Sequence, residues 1–368
     1  MNQWQGWENL IARLKADLFP KVSSEYHQQL SEFIDSFFSI MSKDELESYS
    51  WKDLLGSILY LWNNLINYND ELAADIRIFN PDKETCGWQS KHTIIQIIQL
   101  NTPFMVDSIR IRLNDLGILI HQLLNTDIEI TTKSSGNKKR SFGVVHIEVN
   151  RIESADSLKS LHNSISAVLA DARRCVHDYR ITKEKIQTIT ENLSNKALKL
   201  PESELNEIKA YLYWILNDNF TFLGFEEVKV KREGQKTIIE RPTESLLGLF
   251  RENLQEKGAI SQCLLEPEMD TDFFSDKSLL SFAKASVRST VHRPAYPDFI
   301  ILKQFDKQGQ VTGEYRILGL YTSPVFNQSI RHIPILREKY KTVINRSGFL
   351  PDSHAGKELA QILQVFPR

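Results

Sequence analysis

The sequence predicts an α+β protein in three parts: an N-terminal helical segment, an antiparallel sheet with helices on one face, and a second α+β domain. Three observations predict it. Apolar residues recur at helical spacing up to residue 72, alternating and β-branched runs begin at residue 73, and a second block of such runs begins at residue 220. An antiparallel sheet is the simplest packing of this order of elements.

Residues 1–72 form the predicted helical segment. Its apolar residues keep a helical period, and Ser42 is the predicted N-cap of one of its helices. An aromatic stripe occupies residues 26–38. Core packing is the favoured interpretation of this stripe, and a groove that faces a partner is the alternative.

Residues 73–195 form the predicted first α+β domain. A strand over 93–100 is followed by a helix over 104–116, two further strands, and a long helix from about 155 to 192. The polar stretch 194–201 marks a domain boundary. The second domain is predicted over 203–345, and 346–368 is predicted to begin a further segment that continues beyond Arg368.

Composition and charge argue against a protein that binds nucleic acid or a membrane. The 368 residues carry a formal net charge of −2, so no global excess of positive charge is available to hold nucleic acid or an anionic membrane. No apolar run is long enough for a transmembrane helix. The three cysteines are far apart and in no metal spacing, which indicates a reducing, cytoplasmic location.

The common catalytic and cofactor motifs do not occur in the sequence. There is no glycine-rich dinucleotide turn, and the segment 353–358 lacks both the first glycine and the Ser/Thr of a phosphate loop. We therefore predict no catalytic residue and no cofactor site in this chain. His92, His121 and His146 lie on or beside predicted strands, but none has a ligand partner at short spacing, so we predict no metal site either.

A basic segment in the second domain is the first candidate site. Lys284, Arg288, His292 and Arg293 lie in a region, 280–346, that holds eleven basic and four acidic residues. Guanidinium groups match carboxylates and phosphates, which suggests an anion site. Docking on an acidic surface is the favoured alternative, because the segment has no glycine-rich phosphate cradle.

The turn before the predicted helix 104–116 is the second candidate site. Asn101, Thr102 and Phe104 precede the helix, and Gly117 ends it. Backbone amides at this helix N-terminus could receive an amino-acid carboxylate. Phe104, however, stands where close approach of a ligand would favour glycine.

Short segments in a fixed order carry a resemblance to known proteins. They are RIFNP (77–81), GWQSKHT (87–93), TPFMVDS (102–108), FLGF (222–225), RSTVHRP (288–294), GEYR (313–316), LGLYTS (318–323), RSG (346–348) and SHAGK (353–357). In this order they resemble the amino-terminal region of the large bacterial NAD-dependent glutamate dehydrogenases. Residues 73–195 resemble an ACT domain, a small regulatory unit that often binds amino acids, and the resemblance to the family implies a PAS-like module over 203–345.

The resemblance implies a function for this region. The parent would be a longer enzyme that uses NAD to convert L-glutamate to 2-oxoglutarate and ammonia, and this region would be non-catalytic, serving regulation and assembly. Its expected partners are a downstream catalytic domain of the same polypeptide, further copies in a homo-oligomer, and an amino-acid effector. The alternative is a free-standing small-molecule sensor or an oligomerisation module.

Overall fold

The computed structural model describes residues 3–69, 72–132, 138–194, 200–233, 236–251, 278–350 and 352–365. The chain divides into two compact units. Unit 1 is Met1–Ala172 with Thr290–Arg293, and unit 2 is Arg173–Ser289 with Pro294–Arg368. The α-helices are α1 (Gln3–Leu18), α2 (His27–Phe37), α3 (Lys43–Glu47), α4 (Trp51–Ile66), α5 (Met105–Asp115), α6 (Ala155–Asn192), α7 (Glu202–Trp214), α8 (Leu336–Ser347) and α9 (His354–Val365).

The strands form two antiparallel sheets, one in each unit. The first sheet has the order β1-β2-β4-β3, and the second has the order β6-β5-β10-β9-β8, with β7 paired to β5. The strands are β1 (Asp75–Phe79), β2 (Thr93–Leu100), β3 (Ile120–Ile130), β4 (Arg140–Val149), β5 (Phe220–Glu233), β6 (Lys236–Glu240), β7 (Leu247–Gly248), β8 (Leu280–Lys284), β9 (Asp298–Phe305) and β10 (Val311–Tyr321).

Helices α1 to α4 form one layer of unit 1. The predicted cap at Ser42 is confirmed as a capping box, in which the Glu45 amide donates to Ser42 Oγ at 3.2 Å and the Ser42 amide donates to Glu45 Oε2 at 2.7 Å. The aromatic stripe is buried. Phe33 and Phe37 stack on each other, and Phe33 also contacts Trp62 of α4. The core-packing interpretation of the stripe is therefore confirmed.

The first sheet is covered by helices on both faces, which corrects the prediction of helices on one face. On one face Ile95 and Ile97 pack with α5 and α6, and on the other Ile98 and Val144 pack with the layer of α1 to α4. The physical reason lies in the central strands. Seven of the eight residues of β2 are buried, so this strand needs apolar cover on both sides.

The predicted long helix is confirmed as α6. Residues 173–192 of this helix belong to unit 2, where Ile186 packs with Leu212 of α7 against the second sheet. The predicted boundary over 194–201 falls largely on residues 195–199, which lie outside the described residues. Helices α8 and α9 follow the second sheet, and no side chain of α8 is buried.

The opposite face of the second sheet contains buried charged residues. Arg316 of β10 lies opposite Glu226 of β5, its Nη1 is 3.3 Å from Glu226 Oε1, and its Nε donates to Glu314. Arg241 Nη2 lies 2.6 Å from the other oxygen of Glu226. Because these charged groups are paired with each other, removal of any one partner would leave an uncompensated charge buried in unit 2. Among the described residues, none of the helices has the length and apolar character needed to cross a membrane.

Candidate functional site

Hydrogen bonds to main-chain carbonyl groups hold the turn between β2 and α5 in place. The Asn101 amide donates to the Ser141 carbonyl at 2.9 Å, and Thr102 Oγ1 donates to the Leu100 carbonyl at 2.8 Å. Phe104 is the N-cap of α5 in a left-handed conformation, with φ of 68°, and its side chain makes no cap hydrogen bond. The first turn of α5 therefore begins without the polar cap that helices commonly have.

His292 lies against Phe104 in unit 1. Their ring centroids are 4.9 Å apart, with the ring planes inclined at 52°. His292 also has a left-handed backbone, with φ of 70°. A left-handed backbone at a non-glycine residue costs roughly 1–2 kcal/mol of conformational energy, and both Phe104 and His292 adopt it. Strain of this kind persists only where the surrounding contacts hold it.

Further contacts hold residues 290–293 against the rest of unit 1. Val291 is fully buried, and Thr290 Oγ1 donates to Asp171 Oδ2 of α6 at 3.4 Å. The Arg293 amide donates to the Val291 carbonyl at 2.9 Å, a three-residue hydrogen-bonded turn centred on His292. With a positive φ at the central residue, this is the strained form of the γ-turn. We refer to residues 290–293 as the strap.

The environment of His292 favours its neutral form. Burial lowers the pKa of the imidazole and neighbouring Arg293 lowers it further, while Asp107 in the first turn of α5 acts in the opposite direction. A neutral ring contacts Phe104 without the cost of burying a charge. Its Nδ1 is buried and has no hydrogen-bond partner.

Lys284, Arg288 and Gly117 of the predicted sites have other partners. In unit 2, Lys284 Nζ pairs with Asp298 at 2.7 Å, and the Arg288 guanidinium lies 5.5 Å from the centre of the Tyr296 ring. In unit 1, Gly117 ends α5, where its amide donates to the Asn114 carbonyl. An eleven-residue helix separates Gly117 from Phe104 by about 16 Å. Of the predicted site residues, the structure thus brings Phe104 and His292 into contact within unit 1.

Sequence reasoning missed a second polar site, centred on Glu148 of β4. His92 Nδ1 lies 2.6 Å from Glu148 Oε2, Tyr49 donates its hydroxyl to Oε1 at 3.0 Å, and His146 Nε2 lies 3.8 Å from Oε1. The His121 ring stacks on His92 with centroids 4.3 Å apart. Two of the three histidines, His92 and His146, thus lie beside the Glu148 carboxylate, and the third stacks on His92. The part of the chain that the structure describes contains no group of three or more His, Cys, Asp or Glu placed to hold a metal ion.

Glu148 is ionised and buried. Burial raises the pKa of its carboxyl, but the neighbouring His146 and His92 rings and the Tyr49 hydroxyl outweigh burial and lower the pKa to about 2. Burial and the nearby carboxylate raise the pKa of Tyr49. One local signal was available in the sequence: residues 146 and 148 alternate onto the same face of a strand.

Two family descriptions match parts of the chain. Residues 33–165 match "Glutamate dehydrogenase, ACT1 domain", and residues 333–368 match "Glutamate dehydrogenase, helical motif 1". The first match begins within α2, so it includes part of the helical layer as well as the first sheet. The second covers α8 and α9.

Two curated proteins are similar to nearly the whole chain. An NAD-specific glutamate dehydrogenase of Pseudomonas aeruginosa is 37% identical over 352 residues, which is 92% of this chain and 22% of the relative. One from Halomonas elongata is 31% identical over 374 residues, which is 98% of this chain and 23% of the relative. The chain thus spans less than a quarter of the length of these relatives, and the resemblance found in the sequence is confirmed.

Proposed function

Since this chain corresponds to the amino-terminal region of the NAD-specific glutamate dehydrogenases, we propose that it is a non-catalytic regulatory and assembly region of such an enzyme. The whole protein would oxidise L-glutamate to 2-oxoglutarate and ammonia while reducing NAD, which binds outside this chain. The observation that carries the proposal is the match of 33–165 to an ACT1 domain of glutamate dehydrogenase.

The contact between Phe104 and His292 suggests how such a region would respond to an effector. His292 of the strap contacts Phe104, the N-cap residue of α5, beside which an amino-acid carboxylate would meet the amides of the helix. An amino acid that binds there would displace the His292 ring. The amino acid would therefore change the activity of the enzyme only if it binds one of two states more tightly: the state in which the strap contacts Phe104, or the state in which the strap is released.

The remaining assignments belong to the same proposal. Residues 203–345 act as a PAS-like module, for which the antiparallel sheet with α7 on one face gives support. The region pairs with a downstream catalytic domain of the same polypeptide, assembles into a homo-oligomer and works in the cytoplasm.

An assay of NAD reduction tests the proposed function. The 368-residue chain and the product of the complete gene are each incubated with L-glutamate and NAD, and formation of NADH is followed by absorbance. We expect turnover by the gene product and none by the isolated chain. Turnover by the isolated chain would overturn the non-catalytic assignment, and a gene that ends at codon 368 would favour the free-standing sensor.

A further inference from the structure

A helical hairpin in unit 2 exposes apolar side chains to which the function proposed above gives no role. It consists of α8, α9 and the residues between them, and we call it the hairpin. Of the fourteen large apolar side chains that are exposed in the described part of the chain, four lie in the hairpin: Val343, Phe349, Leu350 and Ile362. Leu350 is the most exposed of the fourteen, at 74%. Exposed apolar side chains that are concentrated in one element indicate an interaction surface.

Both helices of the hairpin are amphipathic and lack apolar cover. Apolar residues recur along one face of each helix; they are Leu336, Tyr340, Val343 and Ile344 in α8, and Ala355, Leu359, Ile362 and Leu363 in α9. No side chain of α8 is buried, and among the described residues of α9 only Gly356 is buried. Each helix has twelve residues. Helices of this length are marginal in water and depend on packing of their apolar face, so these two faces need a partner.

The first helix of the hairpin is fixed to the rest of unit 2 at its start. Glu207 of α7 accepts hydrogen bonds from the Ile335 amide at 2.7 Å and from Nε and Nη2 of Arg337 at 2.8 and 2.7 Å. Such a two-pronged pair sets the orientation of the arginine as well as contributing energy. Helix α8 therefore extends from a fixed point, as a docking surface requires.

Basic residues border the apolar face of α8. The helix carries four basic residues and one acidic residue. At about 100° per residue, Lys339 and Arg346 fall on one margin of the apolar face, and Arg337 and Lys341 fall on the other. Glu338 falls on the opposite side of the helix. A partner that covers the apolar face would meet positive charge along both margins, which favours acidic residues at its edges.

We propose that the hairpin docks against an amphipathic helix of the same polypeptide that lies beyond residue 368 and carries acidic residues beside its apolar face. Packing of one apolar helix face against others is a common mode of recognition. This chain covers 22% and 23% of the two curated relatives, so a polypeptide of their length has ample chain to supply the helix. A second copy of the hairpin is the poorer occupant, because it would bring its own basic margins against these. The proposal rests on the function proposed above only in taking this chain as one region of a longer polypeptide.

Cysteine labelling compares the exposure of the two apolar faces in the 368-residue chain and in the product of the complete gene. Val343→Cys and Ile362→Cys are each reacted with N-ethylmaleimide, and mass spectrometry of the peptides follows each cysteine separately. We expect both cysteines to react at least tenfold more slowly in the complete protein, because the docked helix covers them. Equal rates in the two proteins, or a gene that ends at codon 368, would overturn the proposal.

Asn345→Cys is the matched control on the same helix. Asn345 is exposed and lies on the polar side of α8, so a cysteine there should react at the same rate in both proteins. If Asn345→Cys is protected as strongly as Val343→Cys, the hairpin is enclosed as a whole, which contradicts docking through its apolar faces. If Val343→Cys already reacts slowly in the 368-residue chain and reacts faster on dilution, a second copy is the occupant and the proposal is overturned.

Charge reversal tests the acidic character of the docked helix. In the complete protein, Lys339→Glu should speed labelling of Val343→Cys several-fold, whereas Lys307→Glu, in an exposed turn of unit 2, should leave the rate unchanged. Equal rates with the two substitutions would contradict an acidic partner. Labelling needs no substrate, so protection of Val343→Cys in a protein that fails to reduce NAD with L-glutamate would refute the proposed function and leave the docking intact.

Discussion

At the scale of single residues, Glu148 connects three separate parts of unit 1. Tyr49 comes from the segment between α3 and α4, His92 precedes β2, and His146 shares β4 with Glu148. The hydrogen bond from Tyr49 to Glu148 therefore links the helical layer to the first sheet. Ionisation of the carboxyl contributes to stability because its donors favour the charged form.

The stability of unit 1 should depend on pH through Glu148. The pKa of this carboxyl falls from an ordinary 4.5 to about 2 on folding. Because the folded pKa is the lower one, the contribution is complete above about pH 4.5 and is lost as pH falls toward 2. It amounts to about 3 kcal/mol. Urea unfolding followed from pH 6 to pH 2 should show this loss in the unmodified chain, and a smaller one in Glu148→Gln. Identical pH profiles would contradict the assignment.

Gly248 offers a second test at this scale. Its φ is +61°, and a Cβ built there would lie 2.2 Å from the Leu223 carbonyl oxygen. Gly348 in the same unit has a φ of +70° and no neighbour within 4 Å of such a Cβ. Gly348→Ala should therefore cost only about 1 kcal/mol of unfolding free energy. Gly248→Ala should cost clearly more, because backbone has to move. Equal melting temperatures for the two variants would argue against this close approach.

At the scale of elements, helices were predictable and the packing partners of strands were not. The bounds of α5 and α6 follow from the apolar period and, at the end of α5, from the glycine that follows it, which are local properties of the sequence. Strand β2 is buried on both faces because helices from different parts of the chain pack on the two sides of the sheet. This arrangement is set by tertiary packing and not by a local sequence pattern. Likewise, the Phe104 and His292 rings meet although they are far apart in sequence, so no spacing rule could join them.

The strap should be released when the Phe104 ring is removed. Phe104→Gly keeps a residue that tolerates the left-handed conformation, so the turn before α5 should survive, while His292 loses its stacking partner. We expect the Arg293 amide, which donates within the strap, to exchange with solvent at least tenfold faster by hydrogen-exchange measurement.

Leu119→Ala is the control for strap release. Leu119 is 58% exposed in the same unit, and its truncation should leave exchange of the Arg293 amide unchanged. Unchanged exchange in Phe104→Gly would show that the ring contact does not hold the strap.

At the scale of the whole molecule, the two compact units, the second of which includes α8 and α9, account for less than a quarter of the length of the curated relatives. The sequence alone was sufficient to recognise the family, since the matching segments are distributed along most of the chain. It was not sufficient to find the Glu148 site. That site depends on the register of β4 against β2 and on a tyrosine from the helical layer.

The central claim is that this region regulates a glutamate dehydrogenase through the strap. The most direct test measures NAD reduction by the complete gene product with each common L-amino acid added in turn, comparing the unmodified protein with His292→Ala and with His332→Ala, an exposed histidine of unit 2. We predict that at least one amino acid changes the rate, and that its half-maximal concentration falls several-fold in His292→Ala but not in His332→Ala. An identical response of all three proteins, or no response to any amino acid, would contradict the claim.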